Sequence, residues 1–481
     1  MKSSLRFSLK ERDLLKAIFL SAKARKIKLY LVGGILRDLL LRREKENPDL
    51  DFCLKKGAIN FGRKLAKKIK SGFVILDKEH GAARLVKRIK DKVYTLDFTD
   101  FRGPDLEKDL LHRDFTINAL ALELEKVFAT ANPYNLFIDP CAGRQDLEKK
   151  IIRIVNNKAF SEDPLRILRA FSFASILGFE IDKETLRLAK REREKLSRVS
   201  WERLRDELFK VFDRQGAFKY LEEMDKLKIL KIIFPEINKM RGIGQGPYHH
   251  LDVWQHTLET LNEFEKLTAE LKDNQEIQDY LNEVISGERR RRALLKLAAL
   301  LHDIGKPAAL RHENGKTIFH GHERMGMGIT ENIARRLKLS NDEITSLKII
   351  VLWHLRPGYL ADNEDLTPRA IFRYFRDTGR EAIAILLLSL ADQRATRGPL
   401  TTNESRSRHE KVVSGLIKEY FRRKKEKKIP RLINGDDLMR KFELEPSPLI
   451  GKILSELEEL QAIGKIKTKK EAFRIAKKFI K

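Results

Sequence analysis

The chain has 481 residues, room for about three domains of ordinary size. Its 98 lysines and arginines exceed its 70 aspartates and glutamates, a formal charge of +28, and 42% of its residues are hydrophobic. That apolar content excludes a disordered chain, and no apolar run approaches the ~18 residues of a membrane span, the longest being Ala382–Ala391.

The N-terminal MKSSLRFSLKERD lacks the apolar stretch of a secretion signal, and two cysteines, Cys53 and Cys141, cannot build a disulfide framework or a zinc cluster. The expectation is a cytoplasmic protein with a polyanionic partner, most simply nucleic acid. An ion-pair-rich surface would produce the same charge density. Nothing in the sequence specifies an oligomeric state.

Residues 1–143 read as mixed α and β. Helical periodicity over Glu11–Arg25 leads into an apolar strand, Lys28–Val32, stopped by Gly33-Gly34. Further strands are expected at Phe73–Leu76, Ala83–Val86 and Val93–Phe98. From residue 144 helical spacing dominates, as in Leu165, Leu168, Ala170, Phe171, Ala174 and Leu177, ended by Gly178. The turn-rich Arg241–Pro247 and the basic Arg422–Lys428 read as boundaries, and Asn434–Asp437 as a helix start. The predicted fold class is α+β. A head with a small mixed or antiparallel sheet (1–143) precedes a helical neck (144–240), a second helical domain (241–420) and a basic helical tail (421–481).

Leu31–Asp38 and Asp49-Leu-Asp51 carry the most chemistry. Two glycines after a strand let backbone N–H groups approach phosphate oxygens, and the following helix adds its positive end. Arg37, one turn in, can reach the same phosphates. Asp49 and Asp51, two apart on a strand, point to one face and can hold Mg²⁺. Such metal would activate an attacking 3′-hydroxyl and stabilise the leaving pyrophosphate. Asp97 is a candidate third carboxylate. Alone, a Gly-Gly is usually a turn and an Asp-x-Asp a solvated loop. In strand–Gly-Gly–helix–strand order they point to nucleotidyl transfer.

LVGGILRDLLL…PDLDF resembles the signature of the class II tRNA nucleotidyltransferase (CCA-adding)/poly(A) polymerase family. Arg113–Ala119 is similar to that family's RRDFTxNA motif, which implies ribose and triphosphate contacts from Arg113, Asp114 and Asn118. Asp139–Gly143 with Asp146-Leu147 resembles its DPxxG…DL element. Glu162–Arg166, continued through Arg169, resembles its EDxxR motif. Two positions depart from the pattern: His112 stands where an arginine is usual, and so does Ser172. The connection from Phe101-Arg102 to Arg113 is short. Members with a longer loop there add all of CCA, and those without it tend to stop after CC, so the resemblance implies a bias toward CC.

The EDxxR element also has a direct physical reading. Asp163 and Arg166, three apart on a predicted helix, would share a face. A carboxylate accepting from an exocyclic amino group and a guanidinium donating to a ring acceptor would select cytosine or adenine over uracil and guanine. Glu162 is placed to hold the guanidinium. A helix cap with an i,i+4 ion pair is the bland alternative.

Several histidines fall into one pattern. His256, the doublet His302-Asp303, and Asp392 resemble an HD-domain hydrolase, implying convergence on one divalent transition metal that activates water for phosphoester cleavage. His322 and His354 sit where binuclear members place extra ligands, and Lys306 could contact phosphate. His249, His250, His312 and His320 are read as turn or surface residues; His80 and His409 carry no pattern. A tRNA acceptor arm would need a basic surface. Candidate tracks are Lys64, Lys67, Lys68 and Lys70; Arg187–Arg198; Arg289–Arg292; and Arg422–Lys428.

The leading expectation is a template-independent enzyme adding C, with addition of A left open, to tRNA 3′ ends from CTP and ATP with Mg²⁺. No membrane partner is expected. The rival within this chemistry is a poly(A) polymerase. From other classes the rivals are an HD phosphodiesterase with a nucleotide-sensing head, and an RNA-binding scaffold needing neither carboxylate pair nor His-Asp doublet.

Overall fold

A computed structural model describes residues 7–43, 47–129, 136–363, 366–426 and 430–480. Lys427 and Lys428, the end of one proposed basic track, lie outside the described residues. The chain packs as two units, Met1–Val211 with Glu223–Ile233, and Phe212–Glu222 with Phe234–Lys481. The mixed α+β character is as expected.

The first unit opens with helix α1 (Leu9–Lys23), started by a capping box in which Ser8 and Glu11 satisfy each other's backbone N–H. Strand β1 (Tyr30–Val32) runs into helix α2 (Gly34–Leu40). Strand β2 (Asp49–Leu54), helix α3 (Ala58–Ile69) and strands β3 (Gly72–Asp77), β4 (Ala82–Ile89) and β5 (Lys92–Asp100) follow. Helix α4 (Leu106–Leu111) and strand β6 (Ala121–Glu123) complete the head. The six strands form one sheet in the order β3-β4-β5-β2-β1-β6. Only β2 and β5 pair in parallel, so the sheet is mixed.

Period-two alternation explains its two faces. Leu50, Phe52, Leu85, Leu96 and Phe98 are fully buried on one side, where α3 packs. Asp49 and Asp51 leave β2 on the other side. There Val32, Cys53, Ala119 and Ala121 are covered by Leu106 and Leu110 of α4. The short connection before Arg113 is therefore a helix seated on the core.

Past the head the unit is helical. The helix Arg166–Leu177 ends at Gly178, whose φ of +69° closes it in the left-handed region. The expected single helix through Asp163 and Arg166 is broken: one helix ends at Glu162, Asp163 is extended at φ −141°, and the next begins at Arg166. Pro164 is the reason, because its ring disfavours helical geometry in the residue before it.

The second unit is a helical assembly with two small hairpins. The helices Val253–Glu270, Arg291–Leu301, Asn341–Trp353 and Ala382–Ala395 carry its core. Helix Asn403–Lys425 runs through residues 420 and 421 into the basic run that begins at Arg422, and Asn434 starts the next helix, as expected, through a capping box with Asp437. Arg369 and Arg373 reach Glu459, which is buried, tying the tail to helix Pro368–Thr378. Among the described residues no helix is long and apolar enough to cross a membrane.

Candidate active site and metal centre

In the head, the register sets Val32 opposite Asp51 and Asp51 opposite Asp97. The glycine turn follows directly: Gly33 has φ +76°, and a Cβ there would stand 3.1 Å from Asp51 Oδ2 and 3.2 Å from Arg113 Nη1. Gly33 thus keeps open a space between a carboxylate and a guanidinium, as a phosphate beside a metal requires. Gly34, with no positive φ, begins α2; its absent side chain leaves Arg37 Nη2 3.4 Å away.

Arg37 is buried and engaged. It donates to Asn118 Oδ1 at 2.8 Å and to Asp38 at 3.0 Å, and lies over the Phe173 ring. Asn118 in turn donates to Asp114 Oδ1 at 3.0 Å, and Arg169 grips Asp114 Oδ2 at 3.0 and 2.6 Å. Burial would raise the Asp114 carboxyl, but the Arg169 charge and these hydrogen bonds hold it below its usual range. The motif residues therefore form one chain, Arg37–Asn118–Asp114–Arg169. Arg113 is held by Asp109 of α4 at 3.4 Å, and despite burial that carboxylate keeps its guanidinium firmly protonated.

Asp97 lies beside Asp51 as expected, but it is not an open third carboxylate. Arg84 on β4 donates to both its oxygens at 2.8 Å. Cross-strand register causes this, since Arg84 sits directly opposite Asp97.

Asp163 and Arg166, the pair expected to select the base, line one cavity despite the helix break. Arg166 is buried and donates to Glu162 at 3.3 Å, as expected, and to the carbonyls of His112 and Ala159 at 2.7 and 3.2 Å. Asp163 accepts from Leu165 N at 3.2 Å and from Arg203 at 2.9 Å. Arg203, forty residues on, carries no local signal that could have flagged it. These groups, with His80, Arg102, His112 and Arg198, line one cavity of about 1050 Å³. Ser172, standing where an arginine is usual, donates to Glu207 at 2.5 Å.

The second unit brings together every expected histidine-site residue. Ligand atoms of His256, His302 and Asp392 form one group, and those of Asp303, His322 and His354 a second. Asp303 links them, 3.2 Å from His302 Nε2 and 3.3 Å from His322 Nε2. Lys306 approaches Asp303 at 2.7 Å.

Backbone carbonyls set the tautomers. Nδ1 of His302, His322 and His354 faces the carbonyls of Ala299, Phe319 and Val351 at 2.7–2.9 Å, which turns each Nε2 lone pair inward. The Nε2 atoms of His322 and His354 then confront each other at 3.4 Å, while the buried Asp303 Oδ2 lies 3.2 Å from His302 Nε2 and 2.7 Å from the Lys306 ammonium. Inward imidazole lone pairs clustered with buried carboxylate oxygens are what a divalent transition metal would satisfy, so the residues fit one. Burial opposes the Asp303 charge, yet His302 and Lys306 hold its carboxyl far below its usual range. Burial pushes His354 down.

One expectation changes here. Arg241–Pro247 is fastened to the helical unit that follows it: Gln245 accepts from Lys306 at 2.6 Å and donates to Leu251 O. His249 closes a turn, its N donating to Gly246 O at 3.2 Å, but it is not a surface residue: it is half-buried and its ring lies 4.6 Å from that of His256. His250, His312 and His320 are exposed as expected. His80 pairs with Asp77, and His409 is buried against Ser389.

The basic tracks also need correction. Arg291 is buried between Glu283 and Glu381, and Arg289 is bidentate to Glu343, so Arg289–Arg292 is largely structural. In the neck, Arg187, Arg191, Arg193 and Lys195 all pair with glutamates.

Comparison with known proteins matches this geometry. A Poly A polymerase head domain model fits residues 29–153, and an HD domain model fits 253–397. A model described as the probable RNA and SrmB-binding site of polymerase A fits 178–240, and a tRNA nucleotidyltransferase domain 2 model fits 327–476. An A-adding tRNA nucleotidyltransferase of Deinococcus radiodurans is 31% identical, with 92% of this chain and 93% of that protein covered. A CC-adding tRNA nucleotidyltransferase of Geobacter sulfurreducens is also 31% identical, over 93% and 91%. The solved structure of a Thermotoga maritima CCA-adding enzyme complexed with tRNA shares the fold at TM-score 0.66 and 22% identity, covering 100% of this chain and 99% of that one. The chain belongs to the tRNA nucleotidyltransferase/poly(A) polymerase family, and it is a tRNA nucleotidyltransferase that carries an HD domain.

Proposed function

We propose that this enzyme adds C residues to the 3′ end of tRNA from CTP and stops before the terminal A. The observation that carries this reading is the connection from Arg102 to Arg113. It is short, folded as α4, and pinned to the sheet by Leu106 and Leu110. Asp109 of α4 accepts from Arg102 N at 3.0 Å and holds Arg113. A connection fixed this way leaves little freedom to remodel the base pocket when a purine replaces a pyrimidine.

In this reading Asp49 and Asp51 are the catalytic carboxylates and would hold Mg²⁺. Bound there, Mg²⁺ supplies charge to activate the primer hydroxyl and to stabilise the leaving pyrophosphate. Gly33 and Gly34 leave room for the triphosphate, with Arg113 beside it. Arg37, Asn118 and Arg169 keep Asp114 ionised and oriented toward the ribose. Asp163 accepts from the cytosine amino group and Arg166 donates to the ring, Glu162 fixing the guanidinium. Roles divide among head, neck, HD domain and tail at residues 1–143, 144–240, 241–420 and 421–481. Two thiols free of disulfide bonding accord with a cytoplasmic setting.

His256, His302, Asp303 and Asp392, joined by His322 and His354, would hold one or two divalent transition metals and make the HD domain a phosphohydrolase. The clustering of their ligand atoms, with the Nε2 atoms turned inward, supports this reading. Metal there supplies an activated water for phosphoester cleavage.

The test uses labelled CTP and ATP with tRNAs ending before CCA, after C and after CC. The expected result is CTP incorporation on the first two, little ATP incorporation on the third, and none of either with Asp51→Ala. Ready ATP addition to tRNA ending in CC would overturn the C-adding assignment and favour the A-adding activity of the Deinococcus relative.

A further inference from the structure

The segment Arg241–His249 has no role in the ligand set above, yet the fold fastens it there. Gly242 N donates to Asp252 Oδ2 at 2.8 Å, and Val253 N to Ile243 O at 3.1 Å. The Tyr248 carbonyl accepts from Gly398 N at 2.8 Å and from Thr401 Oγ1 at 3.2 Å. The approach at Gly398 is so close that a Cβ there would stand 2.1 Å from the Tyr248 carbonyl carbon. Two polar side chains are thereby turned inward. Gln245 is buried and fixes the Lys306 ammonium, which it shares with Asp303. His249 stands edge-on to His256, with a buried Nδ1 that has no hydrogen-bond partner.

We propose that His249 and Lys306 form an oxyanion cradle beside the histidine metal centre, receiving the phosphoryl oxygens of a phosphoester while Gln245 holds the ammonium in place. The proposal rests on the metal-centre reading above. His249 faces His256, Lys306, Asp392 and Asp303. An imidazole beside an ammonium, with its Nδ1 left unpaired in a buried position, is an arrangement that an anionic oxygen completes. His249 lies outside the two groups of ligand atoms, which makes it a contact to the anion and not a further metal ligand.

The experiment uses the full chain carrying Asp51→Ala, so that the histidine centre is the metal site under study. The protein is loaded with Mn²⁺, its metal content measured, and binding of inorganic phosphate followed by calorimetry. His249→Ala and His249→Phe are each expected to weaken phosphate about tenfold or more, as loss of a hydrogen bond to a charged group does, with metal content unchanged. His249→Gln, which keeps a donor, is expected to retain part of the affinity. Both larger replacements fill the site, and melting temperature reports folding. Wild-type phosphate affinity in His249→Phe would reduce His249 to packing and overturn the proposal. Lost metal in the His249 variants would make it a ligand, which also overturns it. A parent chain that takes up no Mn²⁺ at this centre would sink the metal-centre reading and the cradle with it, and metal content reports that outcome separately.

Discussion

Asp114 shows how one buried carboxylate can organise a site. It is nearly inaccessible, yet it stays ionised because Arg169, Asn118 and the Phe115 N–H converge on it. A carboxyl whose folded pKa lies below its unfolded value, near 3.9, contributes stability that is complete above that value and is lost as pH falls through the folded pKa. Asp114→Asn should therefore lower the urea midpoint at pH 6, and the gap from wild type should narrow as pH falls below about 4. A gap constant down to pH 3 would mean that Arg169 does not hold Asp114 charged. At this scale much is legible in the sequence. Asp49 and Asp51 announce themselves by spacing along the chain, and Arg113 and the HD residues by their resemblance to family motifs. Mutual engagement is not legible: that Arg84 takes both Asp97 oxygens, and that Arg203 meets Asp163, depend on cross-strand register and long-range packing. His249 is hidden for another reason: the glycines before it read as a linker, and the close backbone approach that fastens the segment is made by Gly398, far along the chain.

At the level of elements, the strands are legible because one buried face imposes period two on β2, β4 and β5. The break at Asp163 escapes the same reading because the i,i+3 and i,i+4 spacing around it is helical on both sides, although Pro164 is the available signal. Helix α4 reads only as a short connection, since six residues are too few to display periodicity. Its importance lies in what it joins. Leu110 is fully buried against Val32 and Cys53, while Asp109, one residue earlier, holds Arg113 over the glycine turn. Leu110→Ala should cost about 2–5 kcal/mol of stability, the range for a large-to-small change in a core. It should also raise KM for CTP, because the helix that aims Arg113 loses its anchor. Thermal unfolding and steady-state incorporation read the two effects. A stability loss with unchanged KM would separate α4 from triphosphate binding.

Over the whole molecule, net charge cannot distinguish paired from unpaired cations, and here the distinction matters. Of the basic runs, Arg289–Arg292 is locked to Glu283, Glu343 and Glu381, and the neck arginines largely face glutamates. Arg422 and Arg423 share Glu419. Lys64, Lys67 and Lys68 differ. They share one exposed face of α3 by i,i+3 and i,i+4 spacing, and none forms an ion pair among the described residues. Unpaired cations can release counterions from a phosphate backbone, whereas paired ones must first give up a carboxylate. If this face meets tRNA phosphates, Lys64→Ala, Lys67→Ala and Lys68→Ala combined should weaken tRNA binding most at low salt. The slope of log affinity against log salt concentration should become shallower by about 2–3, at roughly 0.9 for each phosphate no longer neutralised. Replacing Arg187 and Arg191 should change that slope much less, since both already have partners. Equal changes in the two variants would mean that ion pairing within the protein does not decide which of its cations the RNA uses.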